Sequence, residues 1–170
     1  SVAVNNSRPD IETPVVLRRL DEALELIERY QPWRLAHLHH DLRGFLVIRY
    51  ACRGAYFPDE RLCMTELTFL ARTDITAAPV ASSIVHEGMH ARVHAAGANR
   101  RARDAAREER LCRRAELEFG LALPPELGTP VVERAAASLQ LDDEGVAPTI
   151  DWREAQRRID AVDASARRGR

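Results

Sequence analysis

The sequence predicts an α+β fold, mainly helical, with a small antiparallel sheet of about three strands packed on one central helix. Three observations carry that prediction. Apolar residues recur three and four apart along most of the chain. One early stretch, Phe45 to Leu70, is instead rich in β-branched and aromatic residues. A central run from Pro79 to Gly97 sets His86-Glu87-Gly88-Met89-His90 on a helical period.

The 170 residues fit a single domain, 1–170, with a loose polar lead-in over 1–12 and a frayed tail over 165–170. An apolar share of 45% and a charged share of 30% are those of a soluble globular protein. The 25 basic residues, all of them Arg, balance 26 acidic ones, so net charge gives no argument for nucleic acid or an acidic membrane surface. Cys52, Cys63 and Cys112 form no C-x-x-C and cannot all pair within the chain, which speaks against a disulfide framework. No run approaches 18 apolar residues and no apolar leader is visible, so neither a membrane span nor a signal peptide is expected; a cytoplasmic location is the resulting expectation.

Thr13-Pro14 reads as a cap followed by Pro at the first helical position, and Leu17, Leu20, Leu24 and Ile27 continue the helix to about Tyr30. Pro32 restarts the chain, and Leu35, Leu38 and Leu42 suit a second helix from Trp33 to Leu42. Its His37, His39 and His40 lack a companion acid at metal spacing and read as solvated or capping histidines. Phe45 to Ala51 is the strongest strand signal, and strand character continues from Gly54 to Leu70 around a Pro58-Asp59-Glu60 turn. Thr76 caps the next helix, and Gly97 is its expected C′ residue.

A further helix runs from Asn99 to about Leu123. Its arginines alternate with acids in the manner of a salt-bridged, solvated face, and it lacks aromatics for base stacking. Leu123-Pro124-Pro125 ends it. Two shorter helices, Pro130 to Leu141 and Asp151 to Ala164, follow across an acidic turn at Asp142 to Gly145; this C-terminal part carries no functional signal.

On a helix, residues four apart lie about 5–6 Å apart at Cβ, so His86 and His90 can offer two imidazoles to one metal ion, with Glu87 beside them to handle a proton. A catalytic zinc holds three protein groups and one water. A third His six residues after His90 is absent, since that position is Ala96. His94 lies eight residues from His86, about 12 Å along the axis, which is too far to share the ion. The following helix can fold back after Gly97 and bring Glu108, Glu109 or Glu116 level with the histidines. Cys112 on the same face reads as a small core residue.

An H-E-x-x-H followed, eighteen residues after its second His, by Glu109 resembles the gluzincins, the clan of thermolysin and the zinc aminopeptidases, in the form of a minimal single-domain bacterial metalloprotease. The resemblance covers about Thr76 to Pro124. It implies one zinc ion held by His86, His90 and Glu109, with Glu87 as general base. It departs from the thermolysin pattern at the position four residues after the ligand Glu, where an acid orients a histidine and this chain has Arg113. Glu116 stands at a spacing closer to small repressor-cleaving metalloproteases.

The implied activity is peptide bond hydrolysis, with a peptide or protein as partner and neither nucleic acid nor membrane. Tyr56, on the sheet expected to edge the cleft, is preferred over Tyr50 and His37 to His40 as oxyanion donor, by analogy of fold. The other readings are a sensor or interaction domain with a structural zinc, a zinc hydrolase of a non-peptide substrate, and a fortuitous motif.

Overall fold

The computed structural model describes residues 1–97 and 105–168, without the side chains of 167 and 168. Helices dominate, and a four-stranded sheet lies in the first half of the chain. The order is β1 (Val2–Val4), α1 (Thr13–Tyr30), α2 (Pro32–Asp41), β2 (Gly44–Ile48), β3 (Gly54–Phe57), β4 (Leu62–Glu66), α3 (Leu67–Leu70), α4 (Ala78–Ala95), α5 (Ala105–Ala122), α6 (Pro125–Leu139), α7 (Asp143–Val146) and α8 (Trp152–Arg168). The α+β class and the sheet packed on the histidine helix agree with the sequence reading.

The sheet itself differs from the expectation of about three antiparallel strands. Its order is β1-β2-β4-β3; β2 is parallel to both β1 and β4, and only β3 runs antiparallel. The short link 49–53 carries the chain past β4's position, so β3 becomes the outer edge and β4 returns between β2 and β3. The Pro58-Asp59 turn does join an antiparallel pair, with Gly54 opposite Thr65 and Phe57 opposite Leu62. Arg61 in that turn has a positive φ of 56°, and its guanidinium donates to the Asp41 and His40 carbonyls at the end of α2.

The fourth strand, Val2–Val4, occupies a stretch expected to be a loose lead-in. Three residues, Val2 to Val4, suffice because they pair with Phe45 to Val47, already the most strand-prone segment. Strand character was also expected to reach Leu70, yet Leu67–Leu70 is one helical turn. Glu66 ends the strand there: its carboxylate accepts the Phe69 amide and the Thr68 hydroxyl, the contacts of a helix N-cap.

Several boundaries also shift. Glu12, not Thr13, is the N-cap of α1, and Thr13 Oγ1 instead accepts from Asn6. The Pro124-Pro125 pair starts α6 as well as ending α5, with Pro125 in the first turn and Pro130 carried inside the helix. Asp142 caps the short α7 in the stretch expected to be a turn. The proposed start of α5 at Asn99, with Arg100, Arg101, Arg103 and Asp104, lies outside the described residues. The expected frayed tail from 165 is helical to Arg168, and 169–170 lie outside the described residues.

At the centre is α4, packed against α1, α2, α5, α6, β3 and β4. Ala78, Ala81, Ser82 and Ala91 give it a slim, buried surface that lets its neighbours approach closely. Val47, Cys63, Leu67, Leu70, Ile84 and Phe119 fill the core around it. The Ala78 amide donates to Thr76 Oγ1 at its start. Gly97 ends it at φ 68°, the left-handed conformation that a C′ glycine adopts without a Cβ penalty. Among the described residues no helix is long and apolar enough to cross a membrane.

Candidate metal centre

The His86 and His90 side chains lie one turn apart on α4 and face α5. Their Nε2 atoms are 3.2 Å apart. Glu109 of α5 closes a triangle with them: its Oε2 lies 3.3 Å from His86 Nε2 and its Oε1 3.2 Å from His90 Nε2. The opposite edges of both imidazoles are also engaged. His86 Nδ1 is 2.7 Å from Glu116 Oε1, and His90 Nδ1 is 2.9 Å from Glu108 Oε1.

A carboxylate only accepts, so Glu116 and Glu108 hold the proton of each ring on Nδ1. That leaves Nε2 of both neutral rings with a lone pair aimed at the other and at Glu109. Three electron-rich groups converging at 3.2–3.3 Å repel unless a proton or a cation lies among them. Zinc bonded at about 2.0–2.1 Å in a tetrahedron places its ligands about 3.3 Å apart, so the donor set fits such an ion. Of the three acids the sequence offered as third ligand, Glu109 is the one whose oxygens lie beside both Nε2 atoms, while Glu108 and Glu116 contact the Nδ1 edges behind the rings.

Cys112 is fully buried one turn beyond Glu108 and Glu109. Ligand atoms of His86, His90 and Cys112 all lie within 4.8 Å of one another, so this trio is itself a group that could hold a metal ion. Its burial agrees with the core residue that the sequence suggested, and its sulfur also lies within reach of both imidazoles. Burial pushes the Cys112 thiol above its ordinary pKa, and nearby His90 opposes that shift.

Burial pulls the His86 and His90 pKa values down, but the surrounding acceptors outweigh it and hold both above the ordinary range. Glu109 and Glu116 feel the same contacts in reverse and are held below the carboxylate range despite burial. Glu116 has no exposed surface. Besides His86 it accepts from Ser82 Oγ at 2.9 Å, from Arg113 at 2.7 Å, and from Arg134 of α6. Arg113, four residues after Glu109, thus braces Glu116.

Glu87 is 7% exposed and has no hydrogen-bond partner among the described residues. Burial pushes its pKa up, against the pull of His86 and His90. Its carboxylate lies against Gly54 of β3: a Cβ there would stand 3.0 Å from Glu87 Oε1 and 2.6 Å from Ser83 Oγ. The glycine is what lets the edge strand approach the carboxyl so closely.

These groups open on a cavity of about 790 Å³. Tyr56 lines it from β3, and its hydroxyl is 3.0 Å from His94 Nδ1. His94, too far along α4 for the cluster, serves Tyr56 instead. Tyr50 stands apart, packed against Phe57 and Trp152. Of the α2 histidines, His39 and His40 are exposed and His37 packs edge-on to Trp33 at 5.6 Å; none lines this cavity.

The far wall was illegible in the sequence. Val146, Ala147, Pro148, Ile150 and Trp152, from the end of α7 to the start of α8, line the cavity. No polar motif marks that stretch. It is held by contacts distant in sequence: Asp163 of α8 pairs with Arg8 at 2.9 Å and Arg49 at 3.0 Å, and Arg49 also pairs with Glu66 at 2.5 Å.

Fold and site define an α+β protein with a buried His, His, Cys cluster, joined by Glu109, that could hold a metal ion. No protein-family model matches the chain, and neither the curated proteins nor the solved structures provide a match.

Proposed function

We propose that the protein is a zinc metallopeptidase of gluzincin type, with His86, His90 and Glu109 as ligands and Glu87 as general base. The observation that carries the reading is the triangle of His86 Nε2, His90 Nε2 and the Glu109 carboxylate at 3.2–3.3 Å. Beside it lies a buried carboxyl with no other partner. Zinc bound there supplies a Lewis acid that polarises a carbonyl and brings the pKa of an attacking water toward 7.

The chain's own residues do the rest. Glu108 and Glu116 fix both rings with Nε2 outward. Glu87, its pKa raised toward the working range by burial, takes the proton of the attacking water and delivers it to the leaving amine. Tyr56, steadied by His94, donates its phenolic proton in a hydrogen bond to the developing oxyanion. The outer edge of β3 lines the cleft, where strand addition would hold an extended peptide.

One observation favours a second reading. With Cys112 in reach of both histidines, four protein groups can fill a tetrahedral sphere and leave no open position, which describes a structural site.

The test is metal content followed by Glu87→Gln. The proposal expects stoichiometric zinc in parent and variant and peptide cleavage in the parent only. Zinc retained with no cleavage by the parent selects the structural reading, and failure to take up zinc removes both.

A further inference from the structure

The cavity wall carries both acids and arginines. Glu108, Glu109 and Glu116 are engaged by imidazoles. Next to them three arginines, Arg53, Arg113 and Arg134, line the wall. Glu116 accepts from Arg113 and Arg134 and also serves His86, while Glu87 lies against Gly54, the neighbour of Arg53.

Arg113 places one terminal nitrogen on Glu116, while its Nε is buried with no hydrogen-bond partner. Arg134 contacts Glu116 and Ser82, yet its side chain keeps 38% of its surface open to the cavity side and solvent. Arg53, next to Gly54 on the edge strand, has no acidic partner among the described residues. Its guanidinium rests over the Phe69 ring at 5.2 Å, which fixes the planar group without neutralising it. Partial burial, then the charges of Arg134 and Arg72, depress its pKa. Arg72 is already paired with Asp74.

Like charges gathered at a partly desolvated wall are uphill in energy until an anion arrives. Guanidinium forks match a carboxylate through two parallel hydrogen bonds. We propose that the Arg53 and Arg134 part of the cleft wall is a carboxylate subsite, which selects peptides bearing Asp or Glu near the scissile bond or ending there in a free C-terminal carboxylate. This substrate class rests on the peptidase reading above.

Binding without turnover separates the two claims. The zinc-treated Glu87→Gln protein is offered a positional library of capped hexapeptides, and retained peptides are quantified by mass spectrometry. A second set compares free-acid with amidated C-termini. The expected result is about tenfold enrichment of Asp and Glu over Asn and Gln at one position, or of free acids over amides, which tells the two sources apart. Arg53→Gln, at an exposed site with no ion pair to lose, brings the ratio near unity, and Arg53→Glu shifts it toward Lys. Equal retention of acidic and amide peptides, retention of none, or a preference that survives both substitutions overturns the subsite. Preference without any cleavage by the parent keeps the subsite and removes the peptidase reading; cleavage without preference does the reverse.

Discussion

Glu116 accepts the Nδ1 proton of His86 at 2.7 Å from a position with no solvent exposure, and so fixes which nitrogen of that ring faces the cluster. The same carboxylate gathers Ser82, Arg113 and Arg134, which ties α4, α5 and α6 together behind the site.

Glu116→Gln therefore weakens two things at once. The amide keeps the shape but removes the charge that balances two arginines and a histidine. Zinc affinity, measured by chelator competition, is expected to fall about 10–100-fold. Urea denaturation of the metal-free protein is expected to show a loss of about 3 kcal/mol or more, as for a broken buried ion pair. Unchanged affinity would show that His86 needs no orientation from Glu116.

Cys112 distinguishes an open from a closed site. With Glu109 as third ligand, the cobalt-substituted protein lacks the strong near-ultraviolet sulfur-to-metal charge-transfer band, and Cys112→Ser leaves its spectrum and metal content in place. A band that disappears in Cys112→Ser assigns the thiolate to the metal and removes the open position that hydrolysis needs.

Gly54→Ala probes the approach of β3 to Glu87, the proposed base. The added methyl meets Ser83 Oγ and Glu87 Oε1, both ends of side chains that can move, so the fold is retained. Glu87 is displaced, and kcat is expected to fall about 10–100-fold with zinc content unchanged. Full activity in this variant would place the base elsewhere.

Asp163 links the far wall to pH. Burial alone would raise its pKa, but Arg49 and Arg8 hold it below the ordinary value of 3.8. A carboxylate with a depressed folded-state pKa contributes stability that is fully present above 3.8 and is lost as pH falls through the folded-state value. Asp163→Asn should accordingly be less stable than the parent at neutral pH, with the difference disappearing as pH drops well below 3.8. Hydrogen exchange should show the loss concentrated in α8, if the pairing docks that helix; uniform exchange across the chain counts against this.

Much of the site was legible because it is local. His86, Glu87 and His90 are set by one turn of one helix, and any α-helix through them produces the same pair of imidazoles. The end of that helix was legible too, since Gly97 can adopt the left-handed conformation without strain. Allocation of Glu108, Glu109 and Glu116 was not legible. Consecutive helical residues point about 100° apart, so a small rotation of α5 exchanges their roles. Burial of Cys112, Ala115 and Phe119 against the core fixes that rotation, and it is a property of packing.

The sequence by itself determined the helical majority, the strand-rich segment, the paired histidines and the base candidate, because periodicity and side-chain chemistry act over a few residues. Tertiary structure alone decided that β3 is the edge beside Glu87, that β1 joins the sheet, and that Glu109 faces the histidines while its neighbours stand behind them. It also decided that the stretch from Val146 to Trp152 closes the cleft. Those outcomes depend on pairs such as Arg8 with Asp163, 155 residues apart, whose meeting is fixed by global packing and carries no local signal.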